Sequence, residues 1–185
     1  MSAESHTVNR RNGITQGVFV MTGFGLFWAI LAATGVSPAA AAIGLAVPAV
    51  ATAIAVLVVA LRWAAESVAR GTTRRVAEHS RQVFTLVNVG QAVLILIAVF
   101  GLVRAGHPGL IPAAVCLVVG LHFLPLARVF DVRTYLATGA LLIAVAVVGA
   151  VVYAAASDDA LVRVVVGLPA AIALWTSSLL IARRG

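Results

Sequence analysis

Residues Leu110 to Phe130 read LIPAAVCLVVGLHFLPLARVF, and this stretch decides the fold. No formal charge appears in it before Arg128, and His122 is its one ionisable side chain that can carry a positive charge before that arginine. Wound as a helix at about 1.5 Å per residue, it reaches roughly 30 Å, the thickness of the hydrocarbon core of a bilayer. Working outward from it, apolar blocks of similar length recur at 14–34, 39–61, 83–103, 134–156 and 161–182, each bounded by charges or by Gly and Pro. Hydrophobic residues make up 62% of the 185-residue chain and charged ones only 10%. The mean hydropathy is +1.10. A soluble core could not hide so much apolar surface, so the expected fold is all-α: a polytopic membrane bundle of six transmembrane helices, with residue 110–128 forming the fourth.

The connections follow from their residues. Residues 1–13 are polar and are expected to form a cytoplasmic N-terminal tail. Basic residues ahead of an apolar block also describe a signal peptide, but a block of about 20 residues exceeds a typical signal core, which favours a retained helix. Gly35 to Pro38, Arg104 to Gly109 and Ser157 to Asp159 are short turns, the last able to cap the helix that follows. Residues 62–82 form the one sizeable polar linker, carrying Arg62, Arg70, Arg74, Arg75 and Arg81, and residues 183–185 close the chain. Pro48 and Pro125 fall inside spans, where a missing N–H predicts a kink.

Orientation can be counted. With the N-terminus inside, eleven arginines lie on the cytoplasmic side and only Arg104 and Arg163 on the other. That bias obeys the positive-inside rule for an N-in, C-in topology with an even number of spans, in a bacterial inner membrane. An odd number would scatter it.

Composition also removes function classes. All thirteen basic residues are Arg, so the phosphate-loop lysine and any Schiff-base lysine are absent. A net charge of +7 would suggest nucleic acid in a soluble domain; in a membrane protein it records orientation and contact with anionic headgroups, so no nucleic-acid partner is expected. The lone Cys116 excludes an internal disulfide and reads as packing. His107 and His122 fall at opposite faces of the membrane, no ligand spacing suggests a metal, and no cofactor is expected. No nucleophile with a base lies in a span, so an enzyme is not expected.

What remains is a polar layer. Asn88 and Gln91 lie seven and ten residues after Arg81, about 10 and 15 Å in from that charge. His122 lies six residues before Arg128, about 9 Å from the same edge, and Thr138 five beyond Arg133. Gln16, Thr176, Ser177 and Ser178 fall in the same half. Asn88 and Gln91 share a helix face, and Pro125 frees the carbonyl of Leu121 beside His122. Groups of this kind must be satisfied by one another or by water, so a cytoplasm-facing polar pocket of His122, Asn88, Gln91 and Thr138 is the candidate site. The plainer reading makes them interhelical hydrogen-bonding groups, worth about 0.6 kcal/mol each. Trp63, Trp175 and Tyr135 are placed at the interface and Trp28 deep.

The run Gly120-Leu121-His122-Phe123-Leu124-Pro125-Leu126-Ala127 resembles a stretch found in small bacterial multi-pass inner-membrane proteins of uncharacterised function. The resemblance covers only that octet and the Phe130-Asp131 that follow, and implies a multi-helix membrane protein without implying an activity. Two functions fit the residues. One is a small-solute or proton-linked transporter using the pocket. The other is a non-catalytic scaffold that binds a partner protein, a second copy or anionic lipid through Arg70, Arg74, Arg75 and Arg81.

Overall fold

Every apolar block of the sequence is a helix. The computed structural model describes the backbone of residues 2–69, 78–130 and 132–184, and the side-chain surroundings of these except 2–16, 64, 67–69, 78–84, 129–130 and 184. In chain order the helices are α1 (Ser2–Ala33), α2 (Ala39–Ala69), α3 (Glu78–Arg104), α4 (Ile111–Phe130), α5 (Arg133–Ala156) and α6 (Asp159–Arg184), with a 3-10 turn at Pro108–Leu110. Among the described residues there is no strand. Helices α2 to α6 each contain a stretch long and apolar enough to cross a bilayer, and Gly17–Ala33 of α1 is a shorter apolar stretch. The chain is an all-α, multi-pass membrane protein.

Two boundaries differ from those expected. The N-terminal tail is helical from Ser2, because residues 2–13 contain no proline and a helix once nucleated gains a hydrogen bond with each residue added. The linker is shorter than 62–82: α2 runs on to Ala69 and α3 begins at Glu78. Arg70, Arg74 and Arg75 lie outside the described residues, as do Asp131 and the side chain of Arg81. Pro48 and Pro125 lie inside α2 and α4, as does Pro169 in α6, and each helix continues through its proline.

Helix ends are built by the turn residues. Gly106 takes φ 77° after α3, its N–H donating to Val103 (3.1 Å) while that of His107 donates to Leu102 (2.9 Å). That pair of bonds satisfies carbonyls the helix leaves open, and a positive φ suits glycine. Ser157 ends α5 in the left-handed region, with its N–H on the Tyr153 carbonyl at 2.8 Å. Asp158 Oδ1 then accepts from the N–H groups of Ala160 (2.9 Å) and Leu161 (3.0 Å), the expected cap of α6.

The helices alternate in direction. Val18 early in α1, Ala60 late in α2 and Ala182 late in α6 share one buried cluster, and the Arg183 guanidinium lies 6.0 Å from the Trp63 ring centroid. At this end Phe123 of α4 also meets Tyr135 of α5, ring centroids 5.7 Å apart. At the opposite end His107 Nδ1 lies 3.3 Å from Tyr153 Oη. The start of α1, the end of α2, the start of α3 and the end of α4 therefore share a side with the start of α5 and the end of α6.

Helix α6 is the centre of the bundle, packed against α1, α2, α4 and α5. Small residues let the backbones close in. A Cβ on Gly167 would lie 2.6 Å from the Trp28 carbonyl oxygen and 2.8 Å from Ala32 Cβ, so α1 and α6 meet backbone to backbone, with Ala29, Ala33 and Ala171 buried beside them. Helix α3 is the outlier: it packs against α4 and the 3-10 turn only, leaving Leu86, Ile97 and Phe100 more than 60% exposed for lipid.

Candidate functional site

The position of α3 creates the site. Among the described residues α1 and α3 do not pack backbone to backbone, and the space between them is also lined by α4 and α6. From α3, Asn88, Gln91, Ala92 and Ile95 face it at the i, i+3, i+4, i+7 spacing of one helical face. From α4 come Val119, His122 and Phe123; from α1, Val20, Met21 and Phe24; from α6, Leu174. The cavity measures about 230 Å³, and among the described residues no formally charged side chain lines it. His122, Asn88 and Gln91 thus line a single cavity.

His122 is the distinctive group. Its ring is edge-on to Phe123 at 5.7 Å between centroids and lies against the backbone of Val87 on α3. Its Nδ1 is buried and has no hydrogen-bond partner. Leaving a buried polar atom unsatisfied costs about 1–3 kcal/mol. Asn88 and Gln91 are half-buried on the facing wall. With the other ring nitrogen of His122 engaged by the Val87 backbone, Nδ1 is the nitrogen left without a partner, and the Gln91 carboxamide can both donate and accept, so the lining can hydrogen-bond a small neutral polar group.

Thr138 is placed elsewhere. It is buried on α5, with its hydroxyl 2.8 Å from the Thr134 carbonyl and 2.5 Å from Ser177 Oγ of α6, and it does not line the cavity. Depth along a helix does not fix direction around it, and this face of α5 turns toward α6. Pro125 lies one turn past His122 and half-buried, outside the lining, and Pro48 is exposed on α2, which meets only α1 and α6.

A second polar arrangement lies on both sides of α6; the sequence placed Thr138, Ser177 and Ser178 in the polar layer but did not single out Thr22 or show which of them pair. Ser178 Oγ lies 3.2 Å from Thr22 Oγ1 of α1, and Trp175 Nε1 donates to the Thr22 carbonyl at 3.2 Å. Ser177 Oγ donates to the Ala173 carbonyl (2.7 Å) and meets Thr138 on the other flank. Trp175 is therefore an interhelical residue rather than an interface anchor, and a Cβ on Gly25 would strike its ring. The sequence signal was present in Thr22 and Gly25, one polar and one missing side chain three residues apart on α1. Cys116 is fully buried, its thiol donating to the Leu142 carbonyl at 3.3 Å.

Comparisons with protein families, with curated proteins and with solved structures find no match to this chain.

Proposed function

We propose that the chain binds a small neutral hydrogen-bonding group in the His122 cavity and moves the molecule that carries it within or across the membrane. One observation carries the reading: His122, whose Nδ1 is buried without a partner, lines a cavity at membrane depth. Thr138 pairs with Ser177 and Thr22 with Ser178, whereas the buried Trp28 Nε1, Arg163 Nε and His122 Nδ1 have no partner, and of these three residues only His122 lines the cavity. An intramembrane ionisable residue kept at such a cost marks a binding or transfer site. The arginine bias supports placing this half of the bundle at the cytoplasmic face of a bacterial inner membrane.

The test is thermal unfolding in phosphatidylcholine nanodiscs, comparing wild type with His122→Phe, which keeps a ring but removes both nitrogens. The probes are acetamide and ethylene glycol from water, and oleyl alcohol and dioleoylglycerol from the bilayer. At least one probe should raise the wild-type midpoint by several degrees and leave the variant unmoved. If every probe shifts both proteins alike, or shifts neither, the reading is wrong.

A further inference from the structure

We infer that the cavity is entered sideways from the bilayer, between α1 and α3, by a neutral amphiphile bearing a free hydroxyl, of the glyceride or long-chain alcohol class. This rests on the binding role proposed for His122 and adds the occupant and its route.

The route follows from the packing. Among the described residues no Cα of α1 lies within 8 Å of one in α3, so the two helices flank the cavity without packing backbone to backbone. The cavity residues at its rims, Val20 and Phe24 on α1 and Ala92 on α3, are themselves exposed. A molecule already dissolved in the bilayer meets these rims without crossing a polar layer.

The class follows from the lining. Among the described residues, eight of the eleven around the cavity are apolar and three are polar, and none carries a formal charge. A phosphate or carboxylate there would be a buried ion without a counter-charge, which is prohibitive in hydrocarbon. A hydroxyl both donates and accepts, matching an imidazole on α4 and a carboxamide on α3. Depth agrees: His122 lies about 9 Å inward of Arg128, below the level at which a phosphate-bearing head would sit among the arginines.

Size sets how much of the molecule enters. At about 230 Å³ the cavity falls below the roughly 300–1,000 Å³ of pockets that enclose whole drug-sized ligands. It accommodates a head and the start of a chain, and the rest of the chain lies in the cleft and the surrounding lipid. An α-helix of a second copy, with a diameter of about 10 Å, does not fit the same space.

The experiment uses the full chain in phosphatidylcholine nanodiscs with a diacylglycerol that carries a photoreactive group near the head. Crosslinks should map to Phe24, Ala92 or Ile95. Dioleoylglycerol and oleyl alcohol should compete them away, while dioleoylglycerol acetylated at its hydroxyl and phosphatidylglycerol should not. Ala92→Trp, at an exposed rim position where added bulk does not disturb packing, should cut labelling at least fivefold without changing the unfolding midpoint, and His122→Phe should remove the preference for the free hydroxyl. Equal competition by the acetylated lipid, or labelling confined to Leu86 and Ile97 on the outer face of α3, overturns the inference. If acetamide or ethylene glycol stabilises in a His122-dependent way and the hydroxyl lipids do not, the sideways route fails while the binding role stands. If neither group acts through His122, both fail.

Discussion

Gly120 of α4 and Gly139 of α5 face each other with no room for a side chain on either. A Cβ added to Gly120 would lie 2.9 Å from the Gly139 carbonyl oxygen, and one added to Gly139 would lie 2.7 Å from that of Gly120. This crossing sets how α4 presents His122, two residues further on.

Gly120→Ala and Gly139→Ala should each destabilise the protein by about 1–3 kcal/mol, because backbone rather than a flexible side chain must yield. Thermal unfolding in detergent checks this, with Gly101→Ala as the control. Nothing lies within 4 Å of a Cβ at Gly101, and its replacement should be neutral or slightly stabilising.

The hydroxyl pairs of α6 should be worth little singly. Thr138→Ala and Ser177→Ala should show a coupling of about 0.6 kcal/mol in a double-mutant cycle, the average for interhelical hydrogen bonds in membranes, and Thr22→Ala with Ser178→Ala a similar one. Cross-coupling between the two pairs should be near zero, since they lie on opposite flanks of α6. Unfolding midpoints of the four single and six paired variants decide it.

His122→Leu should raise the unfolding midpoint while abolishing ligand-dependent stabilisation. Replacing an unpartnered buried nitrogen by an apolar side chain removes a penalty of about 1–3 kcal/mol. A gain in stability joined to a loss of binding is the mark of a residue retained for function. A substitution that lowers stability instead would assign the imidazole to packing.

The turn between α5 and α6 offers opposite changes one residue apart. Ser157→Gly should stabilise, by up to about 1 kcal/mol, because φ 50° is disfavoured for a residue with a Cβ. Asp158→Ala should cost about 0.5–2 kcal/mol through loss of the two N–H bonds at the start of α6. Both are read as midpoint shifts in the same detergent.

Topology is testable in cells. Reporters fused after Gly185 and inserted at Arg74 should both report the cytoplasm, and one inserted at Gly106 the opposite compartment. A periplasmic signal from Gly185 would overturn the orientation drawn from the arginines.

The helices were legible because hydropathy is a one-dimensional property: length and charge spacing fix where each span begins and ends. Asn88, Gln91 and His122 were legible for a related reason, since polar residues at equal depth in adjacent antiparallel spans come close whenever those spans pack. Thr138 shows where this fails. Its depth is right, but the rotation of α5 about its own axis is set by contacts with α4 and α6 that no local spacing encodes. The Gly120–Gly139 crossing was invisible for the same reason: spacing along one helix cannot reveal two glycines that meet from different helices. Trp175 resembled an interface aromatic until Thr22 and Gly25, more than a hundred residues away, supplied its neighbours.

The central position of α6 governs the order of assembly. During synthesis α1 to α5 enter the membrane before the helix against which four of them pack. Until α6 arrives, the groove that receives Trp28 and Ala32 has no floor, and Thr22 has no hydroxyl to meet. Ribosome-bound nascent chains ending near Ser157 should therefore be inserted yet loosely associated, and open to quality-control proteases, with consolidation arriving in one late step.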